Sequence, residues 1–332
     1  MEISTIYGTI TITEPILIAL IQSPTVQRMK KIHQYGVTHY AIDYDYTRYD
    51  HSIGVLALLR RFGACLNEQI AGLLHDVSHT AFSHVAEIVF DHSATDHSYQ
   101  DSIHEWFLEQ TEIPAILKQF NMSIEDVFHK SGSHRMLEQD LPNICADRLE
   151  YNLMGMLHEK LLTQADIDTI LSHLNVENGE WFFNNLEIAQ KFAYKQLRLN
   201  ELSWGNPWYG LGYHLAGRAL KRALAVKLIS HHQMHFGYDD DIWNLLQTSN
   251  DPIIAATMQQ LRDVKKFYAL AQEGEFAITP KFRGLDPWVK TNNGLERLRA
   301  IDSNFAYAFE KTKKKMSSGY WATLKPKSAE PL

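Results

Sequence analysis

Between residues 50 and 110 apolar side chains recur every three or four positions, in "DHSIGVLALLRRFGACL", "NEQIAGLLHDV", "TAFSHVAEIVF" and "DHSYQDSIHEWFLEQ". That spacing gives a helix one buried face. The same period predicts helices at 113–121, 123–130, 143–158, 164–173, 185–201, 208–232, 240–247, 252–272 and 296–315. Ahead of them, "ISTIYGTITI" (3–12) is rich in Ile, Thr and Tyr around Gly8 and predicts a small β element. Thr13 with Pro15, and Ser23 with Pro24, punctuate helix starts, while Gly36 closes "TVQRMKKIHQY". The Tyr-rich "YAIDYDYTRY" (40–49) is expected to be an extended loop, and 175–185 and 274–290 are the remaining places for short strands. No repeat or Gly/Ser-rich linker interrupts the chain. The expected fold is mostly α.

Composition narrows the class. The 332 residues are 45% hydrophobic and 21% charged, as in ordinary globular proteins. A chain of this length buries enough core to fold without a disulfide or a structural metal. Two cysteines, Cys65 and Cys145, are too few for a disulfide framework and form no CxxC pair, so a reduced, cytoplasmic setting is expected. The N-terminus shows no signal-peptide pattern, and "PILIALI" is far short of the ~20 residues that span a bilayer. No membrane role is expected. A net charge of −7 argues against coating nucleic acid, so any anionic substrate must be drawn in by local groups.

The chemistry is concentrated early. Seven of the 17 histidines (51, 75, 79, 84, 92, 97 and 104) fall within residues 51–104, where an even spread would put about three. Three of them lie with an aspartate in "AGLLHDVSHTAFSH" (71–84), directly after an apolar Leu-Leu. Buried His and Asp are costly unless they are hydrogen-bonded or hold a metal. His51, His75, Asp76 and the later Asp147 would together supply two neutral imidazoles and two carboxylates, which balances one divalent cation. Nitrogen and oxygen donors suit Mn, Fe, Co, Ni or Zn and, less well, Mg, and leave positions for water and substrate.

The order His … His-Asp … Asp resembles the signature of the HD-domain metal-dependent phosphohydrolases. "QRMKKIHQYG" (27–36), "TRYDHSIGV" (47–55), "AGLLHDVSHTAFSH" (71–84), "DHSYQ" (96–100) and "ADRLEY" (146–151) are similar, in order, to blocks of that superfamily's deoxynucleoside triphosphate triphosphohydrolase branch. "KFRGLDP" (281–287) and "LRAIDSNF" (298–305) resemble its C-terminal region, so that about half of the chain is covered. The resemblance implies a helical HD-domain bundle over 25–160, a β/helical extension over 1–24 and a helical region over 161–332 packed on the core. It implies one divalent ion held by His51, His75, Asp76 and Asp147. It places His79, Glu87 and His97 beside the catalytic water and leaving group, and His84, Arg48 and Arg148 at phosphate. Gln34 and Tyr151 fall near the sugar.

Departures from the branch are also visible. Thr80-Ala81 stands where Gly-Pro is common, and Gly155 where a sugar-reading Asp is expected. "RLNELSWGNPWYGLGYH" (198–214) replaces an Arg- and Tyr-rich triphosphate grip. These bear on triphosphate specificity and leave the metal set intact. Elsewhere, "SHHQMHFGYDDD" (230–241) reads as a solvated helix end with an acidic first turn, and "KTKKKM" (311–316) as a wet basic face. "WGNPWY" (204–209) either packs on the core or stacks a base. The expected activity is hydrolysis of a nucleotide's phosphate ester or anhydride. A nucleotide-binding scaffold without turnover and a two-metal phosphodiesterase are the alternatives. The expected partners are a phosphorylated small molecule and, because related proteins self-associate, a second copy of the chain.

Overall fold

The computed structural model describes residues 1–42, 44–92, 98–128 and 134–326. Most of them are helical, as the apolar period requires. The N-terminal element is a hairpin of β1 (Glu2–Thr5) and β2 (Gly8–Thr11), turning at Gly8 with φ +106°. Its Tyr7 and the helix Pro15–Gln22 bury against the largest apolar cluster. At the centre of that cluster the helix Arg48–Arg61 packs on the helices Leu66–Leu74 and Ala146–His158.

Helix ends place the chemistry. Thr47 and Asp50 form a reciprocal capping box, with Asp50 N donating to Thr47 Oγ1 (3.2 Å) and Thr47 N to Asp50 Oδ2 (3.0 Å). It starts the helix just before Arg48 and His51. The helix Leu66–Leu74 stops at His75, which puts the His-Asp pair on a helix terminus. Asp147 lies in the first turn of Ala146–His158, where the helix dipole favours a carboxylate.

Where the sequence period runs unbroken through 80–90, the chain instead makes turns through residue 84 and forms only the short helix Val85–Val89. Phe82 and Ser83 both have positive φ (60° and 53°). This loop drives Ala81, Phe82, Val85 and Val89 into a second apolar cluster, built with the helices Pro207–Ala225, Asp239–Gln247 and Pro252–Arg262. In the acidic first turn that follows the solvated helix end, Asp240 and Asp241 are exposed but Asp239 is fully buried. Its Oδ1 accepts from Phe82 N (2.7 Å) and its Oδ2 from His33 N (2.9 Å), tying two site loops to one carboxylate. Gly36, at φ +50°, completes that junction, because a Cβ there would lie 2.4 Å from the Phe82 carbonyl oxygen.

Among the described residues, seven further strands lie in the C-terminal half. β3 (Leu174–Glu177), β4 (Glu180–Phe183), β7 (Trp288–Thr291) and β8 (Gly294–Arg297) form one sheet in the order β3-β4-β7-β8, with β4 and β7 parallel. β5 (Tyr268–Ala271), β9 (Tyr320–Leu324) and β6 (Phe276–Ile278) form an antiparallel sheet in the order β5-β9-β6. β5 replaces the end of the helix expected over 252–272, because "YALA" pairs with the late strand β9. No helix among the described residues is long and apolar enough to cross a membrane.

Burial pushes the Asp239 carboxyl up to about 7, against its two N–H donors. A folded-state pKa above the unfolded value of about 3.9 means that the stability held by the neutral acid is lost as pH rises from about 4 to 7. Asp239→Asn turns an amide N–H₂ toward one backbone donor and should cost about 2 kcal/mol in urea unfolding. The wild-type advantage over the variant should narrow between pH 4 and 7, and a margin that widens would contradict this account.

Candidate metal centre and its cavity

His51 is the most constrained side chain of the cluster, at 1% exposure. Its Nδ1–H donates to Glu150 Oε2 (2.5 Å). The Tyr46 hydroxyl donates to the same oxygen, and Tyr7 OH reaches Glu150 Oε1 (3.4 Å) from the N-terminal hairpin. Glu150 fits under His51 because residue 54, one turn further along the helix, is glycine. A Cβ on Gly54 would lie 2.3 Å from Glu150 Oε1. His75 is held in the same way, its Nδ1–H donating to the Gly72 carbonyl (2.8 Å).

With both Nδ1 atoms protonated, both Nε2 lone pairs face inward. They stand 3.1 Å apart. Asp147 Oδ1 lies 3.0 Å from His51 Nε2 and 3.5 Å from His75 Nε2. Asp76 approaches the same two atoms at 3.5 Å through Oδ2 and Oδ1. Acceptors therefore converge with no donor between them, which is the chemistry of a cation site. The outer hydrogen bonds that fix the imidazole tautomers are those that metal-bound histidines use. The donor set fits a divalent ion.

The electrostatics show the same demand for positive charge, which a proton on His51 meets until a cation displaces it. Burial disfavours a charged His51, but Glu150, Asp147 and Asp76 outweigh it and push the ring up to about 10. Burial also raises Asp147 and Asp76, yet their neighbouring rings, and Arg48 for Asp76, hold both well below the usual carboxylate range. Such a pocket holds net positive charge. Glu138, Cys145 and Asp147 form a second donor group, but Arg148 Nη2 already occupies Glu138 Oε1 at 2.6 Å.

The cluster opens into a cavity of about 600 Å³, lined among others by Gln34, Arg48, His79, His84, Arg148, Tyr151, Trp204 and Arg283. His79 faces Asp76 Oδ1 through Nε2 (3.3 Å); burial and then Arg48 lower it to about 3, so it is neutral, and its buried Nδ1 has no partner. His84 Nδ1 meets Glu87 Oε1 (3.0 Å), and Lys281 Nζ reaches Glu87 Oε2 (3.3 Å). Burial raises Glu87, but His84 and Lys281 prevail and bring it down to about 2. Gln34 brings an unpartnered Oε1 to the wall, and Tyr151 packs edge-on against Trp204 at 5.3 Å. His97 lies outside the described residues.

Eleven of the twelve residues singled out in the sequence are thus placed in or around one cavity, which they share with residues the sequence did not single out. Glu150 had a signal: it lies one helical turn beyond Asp147 in "ADRLEY" and so shares its face. Gly54 and Tyr46 had none, since their roles exist only once Glu150 is in place. Trp204, in the "WGNPWY" stretch read as packing on the core or stacking a base, and Arg283, in "KFRGLDP", arrive from the C-terminal half by tertiary packing.

The HD domain family matches residues 48–134. The uncharacterized protein YdhJ of Bacillus subtilis is 35% identical over 326 residues, covering 95% of this chain and 97% of its own. The metal-dependent phosphohydrolase cns2 of Cordyceps militaris is 30% identical over 299 residues, covering 85% and 82%. A solved phosphohydrolase from Bacteroides thetaiotaomicron superposes with a TM-score of 0.70 at 17% identity, across 99% of this chain and 100% of its own, and supports the fold. The chain belongs to the HD-domain metal-dependent phosphohydrolases. Its likeness to the triphosphohydrolase branch is narrower than the sequence blocks implied. The deoxynucleoside triphosphate triphosphohydrolase SAMHD1 of Danio rerio is 35% identical over only 92 residues, 23% of this chain and 15% of that protein.

Replacing Glu150 by Gln removes the charge that fixes His51 while keeping the side chain's shape. Manganese titration of the variant should show divalent-ion affinity lowered by about 10- to 100-fold. Unchanged affinity would mean that His51 does not depend on Glu150.

Proposed function

We propose that this enzyme hydrolyses a phosphate ester or anhydride of a nucleotide, with His51, His75, Asp76 and Asp147 as the ligands of one divalent ion. The observation that carries the proposal is the pair of inward Nε2 atoms 3.1 Å apart, backed by Glu150 and Gly72 and opening onto an aromatic-lined cavity. A bound ion supplies Lewis acidity toward a phosphoryl oxygen and lowers the pKa of water. The chain supplies position and proton transfer. His79, neutral and meeting Asp76 Oδ1 through Nε2, holds that carboxylate in place beside the reacting phosphorus. His84, aligned by ionised Glu87, presents Nε2 to the phosphate or leaving group. Trp204, Tyr151, Tyr35 and Tyr213 offer faces and edges for a planar base, with Gln34 to hydrogen-bond the sugar. The missing triphosphate grip and the short SAMHD1 match favour a mono- or diphosphate over a triphosphate.

Purified, manganese-loaded protein tested against nucleoside mono-, di- and triphosphates, with products identified by chromatography, should release phosphate from a mononucleotide or diphosphate. Asp147→Asn should lower the rate by at least about 100-fold and reduce bound manganese. Exclusive release of triphosphate would contradict the substrate assignment, and turnover that persists in Asp147→Asn would contradict the ligand assignment.

A further inference from the structure

The two site-helix arginines expected at phosphate are both committed to the protein. Arg48 donates to Asp76 Oδ2 through Nη1 (2.6 Å), to Ser83 Oγ through Nε (3.1 Å) and to the Gln34 carbonyl through Nη2 (3.4 Å). Arg148 binds Glu138 Oε1 (2.6 Å) and the carbonyls of Gln139 and Asn143. Lys281 is turned to Glu87. Arg283 differs from all three. It lines the main cavity and an adjoining aromatic slot of about 240 Å³, and it ion-pairs with no carboxylate among the described residues. Its guanidinium lies 5.9 Å from the centre of the Tyr151 ring.

The backbone beneath Arg283 is clamped. Gln196 and Asn200, four residues apart on the helix Leu186–Leu202, are both fully buried. Gln196 Nε2 donates to the Arg283 carbonyl (2.7 Å), while Arg283 N donates to Asn200 Oδ1 (2.9 Å) and Leu285 N to Gln196 Oε1 (3.3 Å). Buried amides are tolerated only where their hydrogen bonds are used. Here they serve to fix one short C-terminal segment. The clamp holds backbone atoms alone, so the Arg283 side chain is left to face the cavity.

We infer that Arg283 is the substrate's phosphate-binding residue, delivered to the HD centre by the 279–287 segment. The inference rests on the phosphohydrolase site proposed above. A planar guanidinium with no carboxylate at ion-pair distance among the described residues, on the wall shared by the main cavity and the aromatic slot, fits a phosphate whose attached ring enters the slot. The phosphate would then lie between the histidine cluster and Arg283, with the leaving alcohol toward Trp204 and Tyr213.

The test compares wild type with Arg283→Ala and Arg283→Lys as full-length, manganese-loaded proteins, using inorganic phosphate as the probe in titration calorimetry. Phosphate affinity should fall about 10- to 100-fold in Arg283→Ala and recover in part in Arg283→Lys. Manganese content and thermal midpoint should stay at the wild-type level, because the backbone clamp is intact. Wild-type phosphate affinity in Arg283→Ala would overturn the inference, as would a loss that comes with loss of manganese in both variants. Arg283-dependent phosphate binding in a protein that hydrolyses none of the screened nucleotides would overturn the proposed substrate while supporting Arg283. A wild type that binds no phosphate would overturn the Arg283 inference, while the proposed activity would still stand or fall by the nucleotide screen.

Discussion

The hydrogen bond from His51 to Glu150 is the contact on which the centre depends. A buried imidazole beside a buried carboxylate has one comfortable arrangement, with Nδ1 protonated toward the acid and Nε2 bare on the other side. That bare nitrogen meets the equivalent atom of His75 and an oxygen of Asp147. The carboxylates of Glu150, Asp147 and Asp76 around these nitrogens draw in positive charge, and a divalent cation would take the place of the proton that they otherwise hold on His51. Much of the N-terminal fold supports the contact. The hairpin sends Tyr7, the loop before the first site helix sends Tyr46, and Gly54 leaves the space in which the carboxylate sits.

The second constraint is the Asp239 carboxylate, which joins the two apolar clusters at the site's rim. It holds the backbone of His33 and Phe82, and hence the loop that carries His79 and His84. Arg28 closes the same seam by donating to the carbonyls of His79 (3.0 Å) and His235 (2.8 Å). The four proposed metal ligands thus belong to one body of helices, and His79 and His84, proposed to meet the substrate, belong to the seam between that body and the next. The C-terminal segment adds Lys281 and Arg283 from a third direction.

Much of this was legible in the sequence. The helical period located the site helices, because one buried face per helix is a local property. The His-Asp pair, the first-turn Asp147 and the clustered histidines pointed to the candidate centre, since polar residues on apolar faces need a reason. The loop through 80–84 was misread as helix: its apolar residues keep a helical spacing, yet they are spent on a different cluster and at positive φ. The stretch 230–241 was read as a solvated helix end with an acidic first turn, and nothing local marks Asp239 as the one aspartate that turns inward. β5 and β9 were hidden because each becomes a strand only through pairing across about 50 residues of chain. Arg283 stands in the "KFRGLDP" block, but its place on the cavity wall exists only through tertiary packing.

The central claim is that the Nε2 atoms of His51 and His75 share one divalent ion with Asp147, with Asp76 as the fourth ligand. Anomalous diffraction from crystals of manganese-loaded protein tests it directly. The account predicts one strong peak within about 2.0–2.3 Å of both Nε2 atoms and of an Asp147 oxygen, with His51 Nδ1 still on Glu150. A peak held by other side chains, or the two imidazoles facing each other with no anomalous signal between them, would contradict it.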